Sequence, residues 1–340
     1  MPHPPTGAEA APPAGDEAPR ITVTGTLAEP DAARALRLAG AAAERDAVAP
    51  LSEPVLLHLR YGGDDQARNL LLTASPALAD PAPADPVLAG YAHLDAADEA
   101  DPAEGPAAEL VIHPDYRGHG LGLALARALL AEAAPRPLRV WAYGDLPAAR
   151  ALAARAGFTR IRSLWTMYRP LADLPPVPAF PPGVTLRTFA VGTDEAAWLD
   201  VNRRAFAHHP EQGSWTAEDL SLREREPWFD PDGFFLAERD GKLAGFHWTK
   251  IHRPADNDNP AAPGHEPVGE VYVVGVDPAG QGGGLGRALT LAGLHYLRSR
   301  GLAEVMLYVD EDNTPAIRLY ESLGFAHRGT DVMFLHPGPG

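Results

Sequence analysis

A mixed α/β (α+β) fold in two tandem copies, each a mixed, mostly antiparallel sheet flanked by helices, is predicted by three features of the sequence. The first is a glycine-rich turn that occurs twice, as Arg117-Gly-His-Gly120-Leu-Gly122 and as Gln281-Gly-Gly-Gly284-Leu-Gly286. Each follows a β-rich run (Glu109–His113, Glu270–Asp277) and opens an apolar helix. Asp277 stands 164 residues after His113, and Gly284 and Gly286 keep that offset from Gly120 and Gly122. The second is a later element ending in Gly-Phe, at Gly157-Phe158 and again at Gly324-Phe325. The third is an order of β-rich and helix-periodic segments that runs once, crosses a proline-rich stretch and runs again.

The elements follow from local chemistry. Residues 1–19 are rich in Pro, Ala and Gly and are expected to be disordered. Order begins near Ile21. An Asp start and strong helix formers predict a helix over 31–46. Leu56–Tyr61 fits a helix or a strand equally well. Leu70–Ala74 and Leu88–Leu94 predict antiparallel strands joined by a proline-rich loop. Then come a strand at 108–113, a helix at 121–132, a strand at 138–143, a helix at 148–156 and a closing strand at 161–168. Residues 170–183, with six prolines removing backbone donors, read as an extended interdomain linker. The second pass predicts a strand at 184–189, helices within 194–224, and strands at 233–238, 243–250 and 269–276. A helix at 285–300, a strand at 304–309, a helix at 314–322 and a strand near 331–335 complete it. The division is therefore 20–169, linker 170–183 and 184–340. The polar stretch 253–267 before the strand at 269 reads as a lid or as an insertion.

Composition bounds the function. A length of 340 residues and 45% hydrophobic content support two globular cores. The formal charge of −16 supplies no basic stripe for nucleic acid. Cysteine is absent, so disulfides, thiol nucleophiles and thiolate metal sites are excluded. No apolar run nears the ~20 residues of a membrane span, and no signal-peptide pattern opens the chain. A cytoplasmic monomer with no membrane or nucleic-acid partner is the expectation. His208-His209 lacks a third ligand at useful spacing, so no metal is expected.

The glycine turn suits an anion. Small residues let backbone N–H groups converge, and the helix N-terminus adds favourable potential. A P-loop would need Lys after the last glycine, and neither copy has it. A dinucleotide fingerprint would need a third small residue in register, and neither has that.

What distinguishes the second copy is the segment Asp312-Asn313-Thr314-Pro315-Ala316-Ile317-Arg318-Leu319-Tyr320-Glu321-Ser322-Leu323-Gly324-Phe325 behind Gln281-x-x-Gly-x-Gly. This combination resembles the GCN5-related N-acetyltransferase (GNAT) superfamily. The resemblance implies a sheet splayed around two central strands, with acetyl-CoA in the gap. It maps the cofactor onto Val274, Gly275, Val276, then Gln281, Gly282, Gly283, Gly284, Leu285, Gly286 and Arg287, and the turn Asn313, Thr314, Pro315, Ala316, Ile317, Arg318. In the first copy it maps a second set onto Leu110, Val111, Ile112, Gly118, His119, Gly120, Leu121, Gly122 and Leu123. A narrower resemblance covers nearly the whole ordered chain. It is to a tandem-domain branch of the superfamily that acetylates the cysteinyl amine of a thiol-bearing amino glycoside, a small-molecule substrate. It rests on Phe206–Trp215, Gly245–Lys250 and Gly269–Val273, and implies substrate contacts from Glu53, Glu211, Lys250, Glu270 and Tyr308. Another acceptor amine, or a non-catalytic acyl-CoA sensor, stays open as an alternative.

Acetyl transfer needs a base for the ammonium and an acid for the departing thiolate. Glu270 is the candidate base, and Tyr320 in the helix opened by Asn313 is the candidate acid. Strand alternation predicts that positions 270, 272, 274 and 276 share a face near the acyl group. At the repeat offsets Glu270 falls opposite Pro106, and Tyr320 opposite Ala153. The first copy therefore reads as catalytically silent. Whether its intact loop is a remnant, a structural cofactor site or a regulatory one is left open by the sequence.

Overall fold

The computed structural model describes residues 18–62, 66–75, 78, 88–95, 105–253, 266–280 and 283–338. The expected tail up to residue 17, most of the 253–267 stretch and the cofactor candidates Gln281 and Gly282 lie outside the described residues.

The first pass gives β1 (Arg20–Thr24), α1 (Glu29–Asp46), α2 (Glu53–Tyr61), β2 (Arg68–Thr73), β3 (Gly90–Leu94) and β4 (Ala107–Ile112). After the glycine turn come α3 (Leu121–Ala133), β5 (Leu138–Ala142), α4 (Pro147–Ala156) and β6 (Thr159–Pro170). The second pass gives β7 (Val184–Thr188), α5 (Glu195–Ala205), α6 (Pro210–Gly213), α7 (Ala217–Glu224), β8 (Phe234–Arg239) and β9 (Lys242–His252). It closes with β10 (Val268–Val276), α8 (Leu285–Ser299), β11 (Glu304–Asp310), α9 (Thr314–Ser322) and β12 (Ala326–His336).

The segment that sequence left undecided, Leu56–Tyr61, is the body of α2. Its start explains the choice: Glu53 and Pro54 occupy the first turn, where an acidic side chain and a missing N–H are both favourable. α1 starts in the same way and buries Ala32, Ala35, Leu38, Ala39 and Ala42 along one stripe.

The described strands form one twelve-stranded sheet in the order β1-β2-β3-β4-β5-β12-β6-β11-β10-β9-β8-β7. The expected closing strand of the first pass, β6, lies between β12 and β11 and pairs antiparallel with both. β12 in turn pairs with β5. Each half of the sheet is thus completed by the last strand of the other repeat. Sequence periodicity fixes a strand's faces but not its neighbours, so this exchange was not legible.

The proline-rich segment, expected as an extended interdomain linker, packs on the second repeat. Leu171 is buried, Leu174 packs with it on the second repeat's core, and Phe180 packs against Leu285 and Leu289. The Pro175 carbonyl accepts a hydrogen bond from His295 Nε2 at 2.8 Å. Leucine and phenylalanine among the prolines give it apolar surface that packing removes from water.

Candidate active site

The parallel pairing of β10 with β11 is confined to Gly269↔Val305 and Glu270↔Met306. Beyond Glu270, β10 runs on to Val276 against β9 alone, and the two parallel strands part. β4 and β5 repeat the arrangement, pairing from Ala107↔Arg139 to Glu109↔Trp141 only. Each glycine turn follows the diverging strand and opens a helix through a left-handed glycine, Gly120 at φ 80° and Gly284 at φ 82°. A Cβ at either position would meet nothing within 4 Å. The turns therefore leave open space over a helix N-terminus, as an anion cradle needs. Gly283 is also left-handed, at φ 64°. Leu285 to Arg287 form the first turn of α8, and Arg287 reaches Ser322 Oγ at 2.8 Å. Asn313 caps α9 by accepting from the Ala316 N–H at 3.2 Å, which accounts for Asn at the head of the Asn313–Arg318 motif. These residues fit the extended pantetheine and pyrophosphate of acetyl-CoA: a strand gap for the first and a glycine-opened helix end for the second.

On the opposite sheet face from α8, a cavity of about 1440 Å³ spans the exchanged strands. Glu53, Glu211, Lys250, Glu270 and Tyr308 all line it. They come from α2, α6, β9, β10 and β11, so the cavity needs both repeats.

Strand β10 places its side chains differently from simple alternation. The register shifts between Val271 and Val273, a bulge at Tyr272. Glu270 and Tyr272 both line the cavity. Val273 packs with Trp198 and Trp248 on that same face, whereas Val274 and Val276 pack with Leu285 and Leu289 on the α8 face. The expected shared face of 270, 272, 274 and 276 is corrected accordingly: the bulge puts Tyr272 and Val273 on one side and sends Val274 to the other. The same extra residue corrects the repeat alignment. Glu270 pairs with Met306 as Ala107 pairs with Arg139, so Ala107, not Pro106, is its counterpart. Neither bears a carboxylate. Ala153, opposite Tyr320, is a buried residue of α4.

Glu270 is buried and its Oε2 lies 2.7 Å from His252 Nε2. Glu53 crosses from the first repeat to take a hydrogen bond from the Tyr272 hydroxyl at 2.8 Å, with Lys250 Nζ at 3.5 Å. Burial alone would raise the Glu53 carboxyl; Lys250, Arg223 and the Tyr272 hydroxyl outweigh it and hold it below the usual carboxylate range. Arg223 donates to the Tyr272 oxygen at 2.7 Å and lies 3.8 Å over the Trp215 ring. Lys250 Nζ sits 4.4 Å over Trp228. Glu211 pairs with Arg162 at 2.9 Å, and Arg162 also grips Asp310. Burial, then the charges of Glu270 and Asp331, keep the Tyr308 hydroxyl protonated far above neutral pH.

Tyr320 is not on the cavity wall. It is buried beside Phe325 in a cluster that includes Ile317 and Leu323, and Val274 packs against that cluster. Burial pushes the Tyr320 hydroxyl up to about 12.

His252 and Arg223 were not singled out from sequence, and Tyr272 was placed only by strand alternation with Glu270. Alternation along β9 was the available signal: Phe246, Trp248, Lys250 and His252 share a face, so choosing Lys250 also points to His252. The first repeat has its own carboxylate in the cavity, Glu109, which accepts from the Ser52 N–H and the Tyr143 hydroxyl, both at 2.7 Å. Its loop arginine, Arg117, is held by Asp46 at 2.7 and 2.8 Å.

A splayed sheet with a glycine-opened helix at the splay and a carboxylate-lined cavity beside it defines an acyl-CoA-dependent N-acyltransferase. Comparison with known proteins agrees. Residues 50–158 and 197–325 match the model of the acetyltransferase (GNAT) family. A mycothiol acetyltransferase of Acidothermus cellulolyticus is 58% identical over 323 residues, covering 94% of this chain and 95% of its own. One from Thermobispora bispora is 57% identical over 299 residues, covering 88% and 94%. Among solved structures, a GCN5-related N-acetyltransferase from Sphaerobacter thermophilus aligns with a TM-score of 0.62 at 27% identity, over 94% of this chain and 96% of that one. The chain belongs to the acetyltransferase (GNAT) family, and within it to the mycothiol acetyltransferases that these relatives represent. Among the described residues no helix is long and apolar enough to cross a membrane.

Proposed function

We propose that this chain transfers the acetyl group of acetyl-CoA to the cysteinyl amine of cysteinyl-glucosaminyl-inositol, the last step to mycothiol. The support is the convergence of Glu53, Glu211, Lys250, Glu270 and Tyr308 on one cavity beside the point where β10 leaves β11. Acetyl-CoA supplies the activated acyl group, whose C–S bond breaks as the amide C–N bond forms. The α-amine, with a pKa of about 7.7–8.0 in solution, arrives mostly as ammonium. Glu270 takes its proton, freeing the lone pair for attack on the thioester carbon. Backbone N–H groups of Val274–Val276 stabilise the oxygen that becomes negative. Tyr320, protonated at neutral pH, gives its proton to the departing sulfur and regains one from solvent.

In this reading the functional division is 184–340 for chemistry and 20–169 for a silent repeat that contributes Glu53. Gln281, Gly282 and the first-repeat residues Leu110–Ile112 and Gly118–Leu123 complete two cofactor loops, of which the second serves turnover. The protein works as a cytoplasmic monomer.

The test is mass-spectrometric detection of product from acetyl-CoA with cysteinyl-glucosaminyl-inositol beside a panel of other amines. Selective N-acetylation of the cysteinyl glycoside is expected. Preference for another amine would replace the acceptor, and tight acetyl-CoA binding without product would replace the enzyme by a sensor. Glu270→Gln should lower kcat by about 100-fold with acetyl-CoA affinity unchanged, as loss of a general base does.

A further inference from the structure

The chemistry assigned to Glu270 requires its carboxylate to face the amine, and one buried neighbour is built to hold it. His252 stands two residues beyond the Lys250–Glu270 register pair, on the same face of the β9–β10 ladder. Both His252 and Glu270 are about 5% exposed or less, both line the cavity, and Nε2 meets Oε2 at 2.7 Å. The other ring nitrogen, Nδ1, is buried with no hydrogen-bond partner among the described residues. These observations put a proton on Nε2. With the proton on Nε2 the ring donates to the carboxylate, and Nδ1 keeps only a lone pair without a partner. With the proton on Nδ1, a buried donor would be orphaned and two acceptors would face each other at 2.7 Å.

We infer that His252 is a positioning residue for acetyl transfer, its Nε2–H fixing one Glu270 oxygen so that the other meets the acceptor amine. The inference rests on Glu270 being the base. A ring N–H held in the strand ladder suits that task, because it restricts the rotation of the carboxylate. Lys250, the direct cross-strand neighbour of Glu270, instead lies within 3.5 Å of Glu53 and over the Trp228 ring. Proton transfer depends on geometry first, so loss of the hydrogen bond acts on turnover rather than on binding.

The experiment is steady-state kinetics of the full chain, with product read by mass spectrometry, for three substitutions. His252→Leu removes the donor. His252→Gln keeps an amide N–H near the position of Nε2, whereas His252→Asn keeps an amide one methylene too short to reach. Expected are kcat losses of about 10- to 100-fold for Leu and Asn, with both KM values within about twofold. Gln should recover to within about threefold of the parent. Wild-type kcat in the Leu or Asn variant would overturn the inference, as would a folded Gln variant as slow as Leu. Should Leu fail to fold, the Gln–Asn pair carries the same comparison. In a Glu270→Gln background His252→Leu should cost nothing more, and a further loss there would assign His252 a role independent of Glu270. Full activity in Glu270→Gln itself would remove the base assignment and the inference with it. An inactive Glu270→Gln beside a fully active His252→Leu would remove the inference alone.

Discussion

At the scale of single residues, the cavity joins groups whose chemistry was readable to groups whose neighbours decide their state. Glu270 and Lys250 could be named because each lies in a segment that carries the resemblance, whereas Tyr308 lies in none of those segments and came only as an implication of it. Asp331 could not be named, since it sits on β12, a strand of the second repeat, and accepts from the Gly144 N–H of the first at 2.7 Å. Burial pushes its carboxyl up to about 6, against the lowering effect of that N–H. A carboxyl raised in the folded state binds its proton more tightly there than in the unfolded chain. Stability from this group is therefore greatest at low pH and declines as pH rises from about 4 through 6. Asp331→Asn, which keeps an acceptor for Gly144, should raise the thermal midpoint at pH 7.5, by up to about 3 kcal/mol equivalent. The gain should vanish near pH 4; an equal gain at both pH values would show that the charge is not its source. His247, held near 4 by burial, contributes the opposite slope to both proteins and cancels from the difference. Tyr320 gives a second case: Tyr320→Phe keeps the ring against Phe325, so kcat should fall by at least about tenfold with little change in unfolding free energy. A stability loss without a kcat loss would leave the tyrosine only a packing role.

At the scale of elements, order and type were largely legible because each strand or helix carries its own periodicity and its own punctuation. What was not legible is where periodicity is interrupted. The bulge at Tyr272 changes the faces of Val274 and Val276 without any glycine or proline to announce it. It also brings Tyr272 into reach of Glu53 and Arg223, so the irregularity builds the cavity wall. The close approach of α8 to β9 is a second such feature. A Cβ at Gly293 would lie 2.1 Å from the His247 ring, which is buried and bonded through Nδ1 to the Leu289 carbonyl. Alanine gains up to about 1 kcal/mol of helix propensity over glycine. Overpacking a rigid buried contact costs about 1–3 kcal/mol, and at this distance it wins. Gly293→Ala should therefore lower the urea midpoint, and an unchanged or higher midpoint would mean that the helix shifts away freely.

At the scale of the whole molecule, the repeat predicts two similar units, while the sheet shows how they are joined. β6 and β12 pair with each other at the centre, and each completes the other repeat's half of the sheet. Helix α2 adds a second bond between the halves, with Glu53 at one end on Tyr272 and Arg60 and Tyr61 at the other on Glu226 at 2.8 and 2.7 Å. The first repeat is thus part of the cavity, which its partner cannot enclose alone. Cutting the chain between residues 176 and 177 separates β6 from β11 and β12 from β5, leaving open strand edges in both fragments. Expressed separately, the fragments should be aggregation-prone or unfolded; expressed together, they should form a one-to-one complex that acetylates substrate. Size-exclusion chromatography and chemical unfolding of each fragment decide the matter. A monomeric fragment that unfolds cooperatively would mean that β6 can turn back onto β5 within its own repeat. In that case the exchange would be a choice made by the joined chain rather than a condition for folding.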